Sequence, residues 1–218
     1  MEDHTTKQKK GSFFKRIRSK LRYGLTLQSI RLKLISVGID ISPYYWYMEG
    51  TDAASIPEIK DLGSGFYFQV LGPEDMEAIE KLDMGWSRST DRIQALTESV
   101  EKCIGIKHDG EIAAFMWINL KECRFRSTVI PMKSNEAYLS DMYVAESYRG
   151  KNLAPYLRYR SYELLRKTGR DKMYSISIYF NTPAIKFKEK LNAKKIKLVF
   201  LIQLFKRFQW SFTIKHYI

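Results

Sequence analysis

Only two cysteines, Cys103 and Cys123, and three histidines occur in the 218 residues. Both cysteines stand among apolar neighbours, and their spacing suits neither a zinc site nor a disulfide framework. His4, His108 and His216 are scattered along the chain, so no metal centre and no Ser-His-Asp arrangement is expected. No run approaches the roughly eighteen apolar residues that cross a bilayer. The start lacks the apolar core and small-residue cleavage site of a secretory signal, so export by that route is not expected. Together these absences point to a reducing, cytoplasmic setting. Internal repeats and low-complexity tracts are also missing.

The content that remains is that of a folded protein. Hydrophobic residues make up 44% and aromatics 14%, enough for a real core, which excludes disorder throughout. The formal charge of +13 is unevenly spread. Residues 1–50 carry ten Lys and Arg against four Asp and Glu, residues 51–182 carry eighteen against nineteen, and residues 183–218 carry nine against one. A neutral middle is flanked by basic ends.

Residues 4–39 contain no acidic side chain. Phe14, Ile17, Leu21 and Leu25 fall on one helical face, and after Gly24 a second stripe runs through Leu27, Ile30, Leu34 and Val37. The pattern predicts two short basic amphipathic helices in an N-terminal extension, residues 1–50. Such a segment can lie on an anionic membrane surface through residues 7–37, pack on its own domain or in a homodimer, or meet nucleic acid, which ranks last. Residues 40–65 hold Pro43, the aromatic cluster Tyr44 to Tyr47, Gly50, Pro57, Gly63 and Gly65, and are expected to be connecting chain, with 51–65 as the linker proper.

From about residue 66 the pattern becomes regular. Strands are predicted over 66–71, 103–107, 111–120, 136–144, 172–180, 196–205 and 208–215, and helices over 73–82, 89–101, 152–168 and from Pro183 to Leu191. Asp109-Gly110 turns a hairpin, residues 121–135 form a loop, and Thr182 caps the last helix. The last strand alternates strictly, with Phe208, Trp210, Phe212 and Ile214 on one face.

The organising stretch is 136–154, a strand joined by a short polar turn to Arg149-Gly-Lys-Asn-Leu-Ala154 and a helix start. The first backbone N–H groups of a helix lack intrahelical partners, and with the helix dipole they suit a phosphate or pyrophosphate. Arg149 and Lys151 add full charges, and Gly150 permits close backbone approach. The stretch resembles the acyl-CoA-binding motif of the GNAT superfamily of N-acyltransferases, Gln/Arg-x-x-Gly-x-Gly/Ala, with Arg149 in its first position, Ala154 in its last, and Asn152 in place of its central Gly. A second stretch, Asn181, Ala184, Phe187, Glu189, Lys190 and Leu191, is similar to the family pattern Asn-x-x-Ala-x-x-Leu-Tyr-Glu-Lys-Leu. The order of elements over about 66–217 is that family's order.

The resemblance implies an α/β (α+β) fold with a mixed central sheet flanked by helices, occupying 66–218. It implies acetyl-CoA, or another acyl-CoA, as co-substrate without a metal, and direct transfer to a small-molecule amine. It places the backbone of Met142 and Val144 on the pantetheine arm, Arg149, Gly150, Lys151, Asn152, Leu153 and Ala154 on the pyrophosphate, and Asn181 near the arm. An amine must lose a proton and the departing thiolate must gain one. Asp141, partly desolvated among Leu139, Met142 and Tyr143, and Glu136 nearer the strand's edge are the candidate bases, with pairing of Asp141 to an Arg as the alternative. Where many relatives carry a Tyr proton donor this chain has Lys188, expected to be a surface charge or phosphate contact. Tyr138, Tyr143 and Tyr179 are the candidate substitutes. A protein amine or polyamine as acceptor, and a non-catalytic binding module for nucleic acid or membrane, are the alternatives.

Overall fold

The computed structural model describes residues 26–51, 55–60, 65–82, 89–126 and 128–218. The first expected amphipathic helix lies outside them. By chain contacts the protein divides into a larger unit, Tyr47–Ile176 with Phe187–Lys194, and a smaller one, Met1–Trp46 with Ser177–Lys186 and Lys195–Ile218.

In the larger unit the strands β2 (Phe66–Leu71), β3 (Glu101–His108), β4 (Glu111–Asn119), β7 (Glu136–Val144) and β8 (Lys172–Ile178, ending in the smaller unit) lie in the order β8-β7-β4-β3-β2. The sheet is mixed: β7 and β8 run parallel, and the other neighbours antiparallel. The expected turn at Asp109-Gly110 is present, with φ of 50° and 85°. Strand β4 reads as a continuous apolar run because both its faces are covered. Ala114, Met116 and Ile118 join Ile104, Ile106, Leu139 and the helix α4 (Leu153–Lys167). Phe115 and Trp117 join Cys103 and the helix α2 (Met76–Leu82). Before α2 comes a 3-10 turn at Pro73–Asp75, and after it α3 (Ser89–Thr97). The stretch 121–135 is more than a loop, because β5 (Glu122–Phe125) and β6 (Thr128–Pro131) pair in it as a hairpin.

The smaller unit holds α1 (Thr26–Ser36), most of β1 (Ile39–Glu49), the start of α5 (Thr182–Lys190), β9 (Lys194–Leu204) from Lys195 on, and β10 (Phe208–His216), with strand order β10-β9-β1. Strand β1 stands where the sequence suggests connecting chain. The reason lies in what it buries: Asp40, Ser42 and Glu49 are polar, and Tyr44 to Tyr47 are buried as an unbroken run, so no apolar alternation marks it. Helix α1 lies where the second short basic helix is expected. Among its described side chains the buried one is Arg31, whose Nη2 lies 2.8 Å from Asp40 and whose Nε donates to Ser42 at 2.7 Å. Ile30 and Val37 of the apolar stripe are exposed. Among the described residues no helix is long and apolar enough to cross a membrane.

Candidate active site

The loop from Arg149 to Ala154 is shaped by two positive φ angles. Gly150 has φ of 85°, a region that side chains disfavour, and a Cβ there would meet no atom within 4 Å, so the backbone borders open space. Asn152 has φ of 67° and ψ of 17°, the left-handed conformation that Asn tolerates best after Gly. Its side chain ties the loop down, because Nδ2 donates to the Glu58 carbonyl at 3.1 Å and Oδ1 accepts from Lys190 Nζ at 3.2 Å. Asn152 thus supplies the backbone angle of a glycine together with two anchors. The Lys60 N–H donates to the Lys151 carbonyl at 3.0 Å on the other side.

No side chain caps the start of α4, and Pro155 carries no N–H, so the N–H groups of Leu153 and Ala154 stand at an uncapped helix terminus. Leu153, Leu157, Tyr162 and Leu165 anchor the helix in the core. Arg149 Nε donates to the Val144 carbonyl at 3.2 Å, and Lys151 Nζ lies 5.8 Å from the Tyr148 ring centroid. Two cations therefore stand beside the terminus, a donor set that fits a pyrophosphate.

Strand β7 is irregular at its middle. Ser140 faces Trp117 and Tyr143 faces Phe115, so Asp141 and Met142 together oppose Met116, a bulge in which Asp141 takes φ of 41°. On its other side β7 pairs with β8 only from Glu136 to Tyr138, although it continues to Val144. The strands part there, and the backbone of 139–144 has no ladder with β8.

Asp141 accepts from Arg92 Nη2 at 2.5 Å. Arg92 also reaches Glu101 at 3.3 Å and lies 4.2 Å over the Trp117 ring, so one guanidinium from α3 bridges two carboxylates. Glu136 sits at the strand's start, where its Oε2 accepts from the Lys133 N–H at 3.0 Å and closes a turn. Tyr138 is buried and hydrogen-bonded to Cys123, and burial pushes its hydroxyl well above the usual range. Burial likewise pushes the Cys123 thiol up to about 12 and the Cys103 thiol upward, so neither offers a thiolate at neutral pH. Tyr143 is half-buried and stacks on Phe115 at 5.6 Å. Tyr179 and Asn181 belong to the smaller unit. Tyr179 packs on Tyr45, and Asn181 Oδ1 accepts from the Ala184 N–H at 3.3 Å, so Asn181, and not Thr182, caps α5.

Lys188 is not a surface charge: only 2% of it is exposed. Its Nζ donates to Ser175 Oγ at 2.6 Å and the Ile176 carbonyl at 3.2 Å, lies 3.7 Å from Glu49, and stands 4.8 Å from the Tyr47 ring centroid. Glu49 accepts from the hydroxyls of Tyr162, at 2.5 Å, and of Ser175, and lies 3.5 Å from Arg158 Nε. Burial pushes Lys188 down to about 7; Glu49 pulls upward and Arg158 adds to the fall. Burial would raise Glu49, but Arg158, Lys188 and the two hydroxyls outweigh it and hold the carboxyl below its ordinary value. Sequence reasoning missed this cluster. The available signal was Lys188 falling inside the stripe Ala184, Phe187, Leu191, where a lysine must be buried with a partner or leave the stripe.

A search of curated proteins finds no match. Among solved structures, the chain is similar to an acetyltransferase from the GNAT family of Colwellia psychrerythraea, with TM-score 0.55 and 18% identity, covering 78% of this chain and 59% of that one. It is similar also to a tandem GNAT protein from the clavulanic acid biosynthesis pathway, with TM-score 0.53 and 13% identity over 87% of this chain and 58% of that one. At this identity the likeness is one of fold, and the chain spans about three-fifths of the length of those structures. The model of the acetyltransferase (GNAT) family matches residues 66–193, more than half of the sequence and all of the loop, bulge and helix start described above, and the chain belongs to that family.

Proposed function

We infer that the chain is an acyl-CoA-dependent N-acyltransferase that passes an acetyl group directly to an amine. The observation that carries this reading is the loop 149–154, with two left-handed residues, an uncapped helix terminus and two cations placed beside the open edge of β7. In this reading the pyrophosphate lies on the loop and the pantetheine arm pairs with the backbone near Met142 and Val144. The amine nitrogen attacks the thioester carbonyl, the C–N bond forms and the C–S bond breaks. Asp141 and Glu136 are the candidate acceptors of the amine's proton, Asp141 once its carboxylate leaves Arg92, and Tyr138 is a candidate proton donor. The departing thiolate gains a proton from water or from Tyr143. Alignment and backbone donors supply most of the acceleration.

Calorimetric titration with acetyl-CoA and free CoA tests the donor site. Micromolar binding is expected, about tenfold to a hundredfold weaker in Arg149→Ala through loss of a charge-assisted contact, and retained in Asn152→Gly. No binding by wild type would overturn the reading and favour a non-catalytic binding module.

For the acceptor we favour an amino sugar on a nucleotide or lipid carrier, met at the inner face of a membrane that the basic segment 7–37 contacts. Truncation at residue 50 is no test of that contact, because it would remove Glu49 and its buried cluster. Charge reversal of Lys15, Arg16, Arg18 and Lys20 in the full chain is the sharper experiment, and unchanged vesicle binding would sink the role of the segment.

A further inference from the structure

Strand β10 alternates apolar and polar residues, the pattern of a strand with one face in the core. Its apolar face is not in the core. Trp210 is 46% exposed and Phe212 56% exposed, and Phe208 is exposed beside them. Phe208 and Trp210 stack with ring centroids 6.2 Å apart. Directly across the ladder stand Leu204, Ile202 and Phe200 of β9, none of them buried, whereas Val199 and Leu201, which point the other way, are buried. Six apolar side chains on two strands thus form one continuous face, exposed along β10 and half-buried along β9. At the hairpin's tip an exposed Phe205 precedes Lys206 and Arg207, and Arg207 lies 5.4 Å from the Phe208 ring centroid.

The charge of the unit that carries this face selects among occupants. The smaller unit carries sixteen Lys and Arg against three Asp and Glu, and the larger carries twenty-one against twenty-one, so the entire excess of +13 belongs to the smaller unit. From Lys190 to the last residue there is no acidic side chain. Asp40, the one carboxylate among the described residues of that unit, is buried against Arg31. A second copy meeting it through the same unit would set one large positive charge against another. A nucleic acid needs cations spread along its contact face, yet here they stand at the turn and the strand ends while the face itself is apolar. A surface that is anionic outside and apolar beneath satisfies both halves.

We propose that the β9–β10 hairpin docks on an anionic phospholipid bilayer, its aromatic face at the depth of the headgroup and acyl boundary and Lys206 and Arg207 among the headgroups. Trp and Phe suit that boundary, and basic residues beside it supply the attraction to anionic lipid. This deepens the membrane part of the reading above by naming the element that inserts, and it does not depend on acyl transfer.

The experiment is flotation of the full-length protein with phosphatidylcholine vesicles, with and without about one-third phosphatidylglycerol, a fraction that gives a strong surface potential. Wild type is expected to float only with the anionic vesicles and to be released by salt. The double variant Phe208→Ser/Trp210→Ser is expected to partition about a hundredfold more weakly, the scale of losing two apolar side chains from an interface. Its acetyl-CoA titration should be unchanged, which shows that it is folded. Brominated acyl chains should quench the tryptophan fluorescence of wild type and do so much less in Trp210→Phe. Undiminished flotation of the double variant would overturn the proposal. So would a wild-type dimer that the double variant dissociates, or salt-sensitive RNA binding without flotation. If no form binds acetyl-CoA while flotation still follows the hairpin, the donor-site reading fails and this one stands.

Discussion

The two units treat their apolar side chains in opposite ways. Of the exposed large hydrophobic residues among the described positions, twelve lie in the smaller unit and five in the larger, although the larger unit has the longer sequence. The larger unit covers both faces of its sheet and sets Glu49, Arg158 and Lys188 in a closed buried cluster, with Asp75 paired to Lys107. In the smaller unit, α1 turns Arg31 inward to Asp40 and leaves Ile30, Leu32 and Val37 outside. The contrast teaches that the larger unit places its apolar area in its own core, while the smaller unit leaves apolar area at its surface.

Removing the centre of the buried cluster should break the larger unit hardest. Glu49→Gln keeps hydrogen-bonding capacity toward Tyr162 and Ser175 but leaves Arg158 and Lys188 buried without a counter-charge. The expected loss is about 3–5 kcal/mol in urea unfolding. A loss below about 1 kcal/mol would mean that water reaches the cluster.

Lys188→Met removes the surplus cation while the Glu49 and Arg158 pair remains. The expected cost at neutral pH is smaller, about 1–2 kcal/mol for the donations to Ser175 and Ile176. The pH dependence is the sharper readout. The folded-state pKa of Lys188, about 7, lies below its ordinary 10.5. Between those values the unfolded chain holds a proton that the folded chain has released, so stability rises with pH through that window and falls as pH drops toward 7. Wild type should show that rise from this group, and Lys188→Met should lack it. Parallel profiles would show that Lys188 keeps its proton in the folded state.

Asn152→Gly tests the loop at a lower level. The backbone angle is preserved, so the donor site should survive, but the bonds to Glu58 and Lys190 disappear. A stability loss of about 1 kcal/mol with intact acetyl-CoA binding is expected, measured by unfolding and calorimetry side by side.

These sites also show what sequence could and could not reveal. Most of the strands and helices beyond residue 66 followed from periodicity, since they bury an apolar face or both faces of a run such as β4, while β10 followed from an alternation whose apolar face is exposed. The loop 149–154 was legible because its chemistry is local: a glycine, two cations and a helix start. Strand β1 was hidden because it buries the polar Asp40, Ser42 and Glu49 beside the unbroken aromatic run Tyr44 to Tyr47, so no alternation marks it, and the partners of Glu49, Tyr162 and Ser175, lie far along the chain. Lys188 was misread for the same reason, because its partner Glu49 is remote in sequence. Hairpin β5–β6 lacked a turn signal; Arg126 takes φ of 57° where a glycine or asparagine would have marked it. The pairing of Asp141 with Arg92, held open as an alternative, spans 49 positions and could be settled only by the fold.

The smallest expected effect sharpens the comparison most. Phe212 looks like a core residue in its strand, and in the larger unit a comparable truncation, Leu157→Ala at a fully buried site, should cost about 2–5 kcal/mol. Phe212→Ser should cost no more than about 0.5 kcal/mol, because most of the ring is already in water and no cavity opens when it goes. If it costs as much as Leu157→Ala, the face is covered in the isolated chain and the apolar surface of the smaller unit is ordinary core. If it costs almost nothing while the urea dependence of unfolding stays the same, the ring contributes little to folding. The three aromatic residues in strict alternation on this edge strand then act outside the folding of the chain.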